Sequence, residues 1–211
     1  MDDEAKIHQQ VVALTGTIGS GKSTVCSMLR QKGAYIVSAD DLARKSVESG
    51  SPALKQIQQV FGDSVILPDG TLDRQSMADK VFSDPQKRKE LENITHPIIH
   101  ELEIAAFSEA LEKNFPLLVY DCPLFFEAHL ERRGYCCTVL VAAPEEKCIA
   151  RVMRRNGLSE EQARQRLSAQ MSIQQKRKLA DYVLENNGTL EELQTQVDAL
   201  FETLRKRQEK S

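Results

Sequence analysis

The stretch "VVALTGTIGSGKSTV" (residues 11–25) decides the fold. Apolar and small residues run into a loop of glycine, serine and threonine that ends in Lys22-Ser23. Inside it, "GTIGSGKS" (residues 16–23) satisfies the spacing G-x-x-x-x-G-K-[ST], with a strand-like run before it and a helix-like run after it. Glycines at this spacing let the backbone turn so that successive N–H groups face inward at an anion. The N-terminus of the following helix adds a positive dipole end. The pattern predicts a nucleotide phosphate loop built from Gly16, Thr17, Ile18, Gly19, Ser20, Gly21, Lys22, Ser23 and Thr24. Lys22 is expected to reach the β- and γ-phosphates, and the Ser23 hydroxyl to hold Mg²⁺. In the empty loop Lys22 is expected to be exposed, with no partner to lose. A chance glycine-rich turn has no reason to fall between a strand and a helix.

Further strand-like runs lie at 35–37, 117–120, 138–142 and 182–184, after the first at 11–14. Most lack alternation, as in parallel strands buried on both faces, and helical segments separate them, which is the α/β pattern. Gly33 reads as a C-terminal cap for the helix that starts near Lys22. Ser51-Pro52 reads as N-cap and first helical position. Ser159-x-x-Gln162 and Thr189-x-x-Glu192 fit the capping box. After the second box, Leu190, Leu193, Val197, Leu200 and Leu204 form one apolar stripe. Between the second and third strands lies a long interval with no strong strand signal. In it "PDG" (68–70) is a turn, and Asp84-Pro85 and His96-Pro97 read as helix starts. A crossover needs only about 10–12 residues, so the excess predicts an inserted helical subdomain placed to hold a second substrate.

Composition narrows the class. A chain of 211 residues fits one domain with room for an insertion, and buries a sizeable core. The formal net charge of −3 argues against a dedicated nucleic-acid binder. No apolar run reaches the roughly 20 residues of a membrane helix, and the acidic start "MDDEAKIHQQ" is not a signal peptide. Cys26, Cys122, Cys136, Cys137 and Cys148 show no C-x-x-C, and the four histidines fall at no zinc spacing. The cysteines read as small core residues in a reducing cytoplasm. The sequence specifies no oligomeric state.

Two carboxylates end strands. Asp121 closes "LLVYD", where an aspartate helps to hold Mg²⁺, and Asp40 closes "AYIVSAD". Both ends belong to the ligand edge of an open α/β sheet. On pattern alone, Asp40 is either a site carboxylate or the cap of the next helix. N-K-x-D and D-x-x-G strings are absent, which sets GTPases aside, and so is an L-S-G-G-Q signature of ABC-type ATPases. A small kinase with an arginine-bearing lid remains. Its lid is "EEKCIARVMRRNGLSEEQARQRLSAQ", with Arg151, Arg154 and Arg155 at helical spacing before a break at Asn156-Gly157. Arginines at such a break can close over a transferring phosphate. Arg155 is the favoured contact, and Arg164 reads as part of a solvated face.

With these residues in view, the chain resembles the dephospho-coenzyme A kinase family over nearly its whole length. Besides the phosphate loop, the resemblance rests on "SADDLAR" (38–44), "DGTLDR" (69–74), "THPII" (95–99), "DCPLFFE" (121–127), the turn at 155–157, "RLSAQ" (166–170) and "ADYVLENNG" (180–188). It implies transfer of the ATP γ-phosphate to the ribose 3′-hydroxyl of dephospho-CoA, with Mg²⁺, in the cytoplasm. It implies a three-layer P-loop kinase fold with a five-stranded parallel sheet of order 2-3-1-4-5. The nucleotide core would comprise 10–40, 116–150 and 181–208, the acceptor-binding insertion 41–115, and the lid 151–180. By the same resemblance Asp40 is the base, and Asp73, Arg74, His96, Pro123, Leu124 and Glu127 line the acceptor cleft. Three positions depart from the family pattern. Ser38 stands for the first aspartate of D-A-D, Thr17 for a glycine and Asn156 for an aspartate. Another small hydroxyl acceptor, a nucleoside monophosphate or sugar acid, would call for the same loop and insertion. A non-catalytic nucleotide-binding module would leave Asp40 and the lid arginines without a purpose.

Overall fold

Five parallel strands carry the molecule: β1 (Val11–Gly16), β2 (Tyr35–Ser38), β3 (Leu118–Asp121), β4 (Cys137–Ala142) and β5 (Tyr182–Glu185). They are ordered β2-β3-β1-β4-β5, as the family resemblance implies. The computed structural model describes residues 2–82 and 84–208. Ten helices are described: α1 (Asp2–His8), α2 (Lys22–Gln31), α3 (Ala39–Ser46), α4 (Pro52–Phe61), α5 (Arg74–Phe82), α6 (Pro85–Glu112), α7 (Glu145–Asn156), α8 (Glu160–Ser168), α9 (Ile173–Leu179) and α10 (Leu190–Gln208).

The central strands are apolar because helices cover both faces. On one face Val12, Leu14, Val119, Val139, Val141 and Leu184 pack with Val25 and Leu29 of α2 and with Leu193, Val197 and Leu204 of α10. On the other, Tyr120 stacks on Tyr135 and meets Phe107 edge-on. Together these form an α/β three-layer sandwich. Parallel register aligns the strand ends: Asp121 pairs with Leu14 of β1 and with Ser38 of β2, and Gly16 pairs with Val141. The phosphate loop, Asp121 and the exit of β2 therefore share the carboxyl edge.

By compactness the chain divides into Met1–Ser38 with Phe107–Ser211, and Ala39–Ala106, where the sequence had suggested an insertion at 41–115. The second unit has its own core of Val47, Ala53, Ile57, Phe61, Val65 and Met77.

The local signals translate into hydrogen bonds. Gly33 N–H reaches Arg30 O and Ala34 N–H reaches Leu29 O, a Schellman closure of α2. The Ser51 hydroxyl accepts from Leu54 N–H, and Asp84 caps α6 through Gln86 and Lys87 N–H. Both predicted capping boxes form, at Ser159/Gln162 and Thr189/Glu192. Two expectations fail. His96-Pro97 does not start a helix, because Pro97 lies inside α6. Leu91, Ile94 and Ile98 pack on the second core from both sides of the proline. The carbonyl that Pro97 leaves unpaired belongs to exposed Asn93, where water can serve it. Leu190 is 62% exposed, and Phe201 takes its place in the α10 stripe.

Candidate active site

The loop between β1 and α2 is shaped by what lies behind it. At Gly19 (φ +79°) a Cβ would stand 2.5 Å from the Cys148 carbonyl oxygen, and at Gly21 (φ +94°) 2.0 Å from Asn186 Nδ2. Left-handed backbone and close approach both require glycine there. Ser20 N–H donates to Thr17 O at 3.0 Å, making a turn. Three side chains from the C-terminal half hold the loop. Gln170 Oε1 accepts from Ile18 N–H at 2.8 Å. Arg151 Nη1 donates to the carbonyls of Gly19 and Ser20, and Asn186 Nδ2 donates to Ser20 O.

Lys22 is not the exposed, unpartnered lysine expected of an empty loop. Its ammonium pairs with Asp121 Oδ1, with the two side chains 14% and 16% exposed. The reason is the register: the end of β3 presents a carboxylate beside the start of α2, and a mostly desolvated ammonium takes the nearest counter-charge. Beneath the pair, burial and the Asp121 carboxylate push the Cys26 thiol up to about 12. It stays protonated and leaves the Asp121 charge to Lys22. Ser23 is exposed in the first turn of α2. A hydroxyl and a carboxylate are the hard oxygen donors that Mg²⁺ prefers, so the residues fit that ion.

After Asp121 the chain is fastened at Pro123. Its carbonyl accepts from Thr15 Oγ1 at 3.1 Å and from Lys176 Nζ at 2.8 Å. Lys176 is fully buried and also pairs with Glu127 Oε1 at 2.9 Å. The same oxygen accepts from Met171 N–H. Glu127 is thereby engaged in holding the chain at Met171 and Lys176, with one carboxylate oxygen committed to them. Leu124 is 46% exposed and offers apolar surface.

Asp40, Asp73, Arg74 and His96 belong to the second unit. Asp40 is exposed in the first turn of α3, and it is not that helix's N-cap, since α3 begins at Ala39. No partner holds its carboxylate among the described residues. Asp73 has a structural task instead: it caps α5, accepting from Gln75 and Ser76 N–H and from Ser76 Oγ. Those bonds hold its carboxyl below the usual range. Arg74, next in sequence, and His96 are both exposed.

The arginines of α7 and α8 divide. Arg151 is turned to the loop. Arg154 is exposed, and among the described residues Arg155 bonds only its neighbour Asn156, through Nε at 3.0 Å. Arg164 lies on the exposed face, where it pairs with Glu160 of its own helix and ties α8 to α7 through Glu145 and Glu146. A cavity of about 830 Å³ is lined by Thr17, Cys148, Arg164 and Gln170, among others. The motifs "RLSAQ" and "ADYVLENNG" contain Gln170 and Asn186, but residue type and spacing assign no role to these two or to Lys176.

The family model for dephospho-CoA kinase matches residues 10–192. The chain belongs to the dephospho-CoA kinase family. A dephospho-CoA kinase of Syntrophotalea carbinolica is 47% identical over 194 residues, covering 92% of each chain. Among solved structures, that of TT1252 from Thermus thermophilus is 39% identical with a TM-score of 0.79, covering 92% of this chain and 97% of its own. The dephospho-CoA kinase from Campylobacter jejuni is 26% identical with a TM-score of 0.63, at the same coverage. The chain is therefore an enzyme, and its activity is the ATP-dependent phosphorylation step of coenzyme A synthesis that defines the family. Among the described residues, no helix is long and apolar enough to cross a membrane.

Proposed function

We propose that the enzyme transfers the γ-phosphoryl group of ATP to the ribose 3′-hydroxyl of dephospho-CoA, giving coenzyme A in the final step of its synthesis in the cytoplasm. The observation that carries this reading is Asp40: an exposed carboxylate, free of internal partners, two residues past Ser38, which is in register with Asp121. A carboxylate that caps nothing and pairs with nothing is available to take a proton. The 3′-oxygen attacks the γ-phosphorus as its proton passes to Asp40. The bond to the β,γ-bridging oxygen breaks, and ADP leaves.

The loop N–H groups and Lys22 neutralise the β- and γ-phosphates. Mg²⁺, held by Ser23 and Asp121, would supply charge compensation between those phosphates when bound. For Lys22 to reach phosphate it must leave Asp121, so nucleotide binding exchanges one partner of each for another. Arg155, held only by its neighbour, can swing over the γ-phosphate as the lid at 151–180 closes. The insertion supplies the acceptor side, with Arg74 and His96 as its exposed polar groups. Pro123 and Leu124 give an apolar wall, while Asp73 and Glu127 fix the elements that present these groups.

An acceptor panel with Mg·ATP tests the reading: dephospho-CoA, adenosine, AMP, gluconate and shikimate. Dephospho-CoA should win by orders of magnitude in kcat/KM, because its remote pantetheine arm can align the ribose hydroxyl. Asp40→Asn should lower kcat by roughly 10²- to 10⁴-fold with ATP affinity little changed. Normal turnover in that variant removes Asp40 from the chemistry, and equal use of AMP or gluconate removes the acceptor assignment.

A further inference from the structure

The phosphate loop has a back as well as a front, and one amide organises it. We propose that Asn186 is a positioning residue: it holds the Ser20 carbonyl away from the anion so that the next N–H in the loop faces it. The proposal rests on the reading of residues 16–23 as the phosphate loop.

Asn186 is 7% exposed and immediately follows β5. Its own N–H donates to Ala142 O at 2.7 Å, which fixes its backbone to the end of β4. From that anchor Nδ2 donates to Ser20 O at 2.7 Å. In a trans peptide unit the C=O and the following N–H point in opposite directions. A Ser20 carbonyl turned to Asn186 therefore turns Gly21 N–H the other way. The peptide before it behaves alike. Gly19 O faces Arg151 Nη1 at 3.2 Å, and Ser20 N–H, on the opposite side, closes the turn onto Thr17 O.

Arg151 also decides which way the Asn186 amide faces. Its Nη2 lies 3.5 Å from Asn186 Oδ1 and 3.4 Å from Asn186 O. A flipped amide would set its NH₂ against the guanidinium and its oxygen against the Ser20 carbonyl, two repulsive contacts in a buried place. The amide thus has one orientation, with the donor toward the loop. Nothing larger than glycine at position 21 leaves room for it, since a Cβ there would stand 2.0 Å from Nδ2.

Replacing the donor with an acceptor of the same shape isolates this role. In Asn186→Asp the carboxylate can still pair with Arg151, but its second oxygen opposes Ser20 O and drives that peptide over. The measurement is calorimetric titration with inorganic tripolyphosphate, which senses the loop without adenine, acceptor or turnover. Dephospho-CoA titrated separately is the control. Loss of about one hydrogen bond's worth of preorganisation predicts roughly ten-fold weaker tripolyphosphate binding in Asn186→Asp. Asn186→Ala, with Arg151 still on Ser20 O, should fall between it and the wild type. Dephospho-CoA affinity should not change. An asparagine that only supports the fold would lower Tm and leave tripolyphosphate affinity intact, and that result overturns the proposal. If Asn186→Asp does not fold, wild-type tripolyphosphate affinity in Asn186→Ala overturns it equally. A wild-type enzyme that binds no tripolyphosphate sinks the phosphate-loop reading itself, a different failure from equal binding by all three proteins.

Discussion

Lys22→Met should destabilise the empty enzyme as well as inactivate it. A phosphate-loop lysine that waited in solvent could be removed without structural cost. Here its ammonium is paired with Asp121, and both side chains are mostly buried, at 14% and 16% exposure. Methionine keeps the length and apolar stem and leaves the Asp121 charge without its partner. Removing one member of a fully buried pair costs about 3–5 kcal/mol, whereas a solvent-exposed pair contributes about 0–1 kcal/mol. At this partial exposure the expected cost is about 2–3 kcal/mol, between the two limits. For a chain of this size each kcal/mol moves Tm by about 2–4 °C, so the drop is roughly 4–12 °C. The assay is thermal unfolding followed by circular dichroism, without nucleotide and with chelator present to remove divalent cations. The double variant Lys22→Met/Asp121→Asn should recover most of the loss, because a neutral amide needs no counter-ion. If Lys22→Met melts within about 1 °C of wild type, or the double variant melts no higher than the single one, the pair does not hold the empty site together and the reasoning fails.

Arg155→Ala should lower kcat more than it weakens ATP binding, since its side chain meets only Asn156 in the empty enzyme and is free to act on closure; unchanged kcat in steady-state assays would remove it from the lid's chemistry. In α10, Leu193→Ala should cost about 2–5 kcal/mol in denaturant unfolding, while Leu190→Ala, at an exposed position, should stay within about 0.5 kcal/mol. Comparable losses at both would misplace the helix face. Asp73, Asp84, Asp198 and Glu185 all titrate below their usual range in the folded state: Asp73 through Ser76, Asp84 through Lys87 N–H, Asp198 through Lys32, and Glu185 through Arg177. A depressed folded value means that their stabilisation is complete above the unfolded carboxylate range, about pH 4–5, and is lost as pH falls through the lower folded values. A Tm that rises on acidification below pH 4 would contradict that sign.

Much of this architecture was legible because parallel strands announce themselves as apolar runs. All five are legible: β3 lies one residue later than its apolar run, and each of the others extends its run by one or two residues at one end. The added residues include Thr15-Gly16, Ser38, Asp121 and Glu185, polar or small side chains that hydrophobic patterning discards. Caps at Ser51, Asp84, Ser159 and Thr189 were readable because their partners lie three residues away or fewer. The Lys22–Asp121 pair was not, since its members come from distant parts of the chain and meet only through the β1–β3 register. Asn186 and Gln170 were hidden for the same reason: each acts on loop backbone, which leaves no mark on residue type. Pro97 misled because local chemistry favours a boundary there, and packing by Leu91, Ile94 and Ile98 outweighs it.

The strand order also bears on how the chain acquires its structure during synthesis. β1 sits in the middle of the sheet and is made before both of its neighbours, which begin at Leu118 and Cys137. Until both have left the ribosome, this fully buried strand has both edges open, and the loop that follows it has nothing behind it. The unit at Ala39–Ala106 is built from contacts close in sequence and can condense in the meantime. Asn186, which steadies the loop, comes later still. The nascent enzyme can therefore fold its insertion well before it can bind a nucleotide, and through that interval β1 is the segment with most to gain from a chaperone.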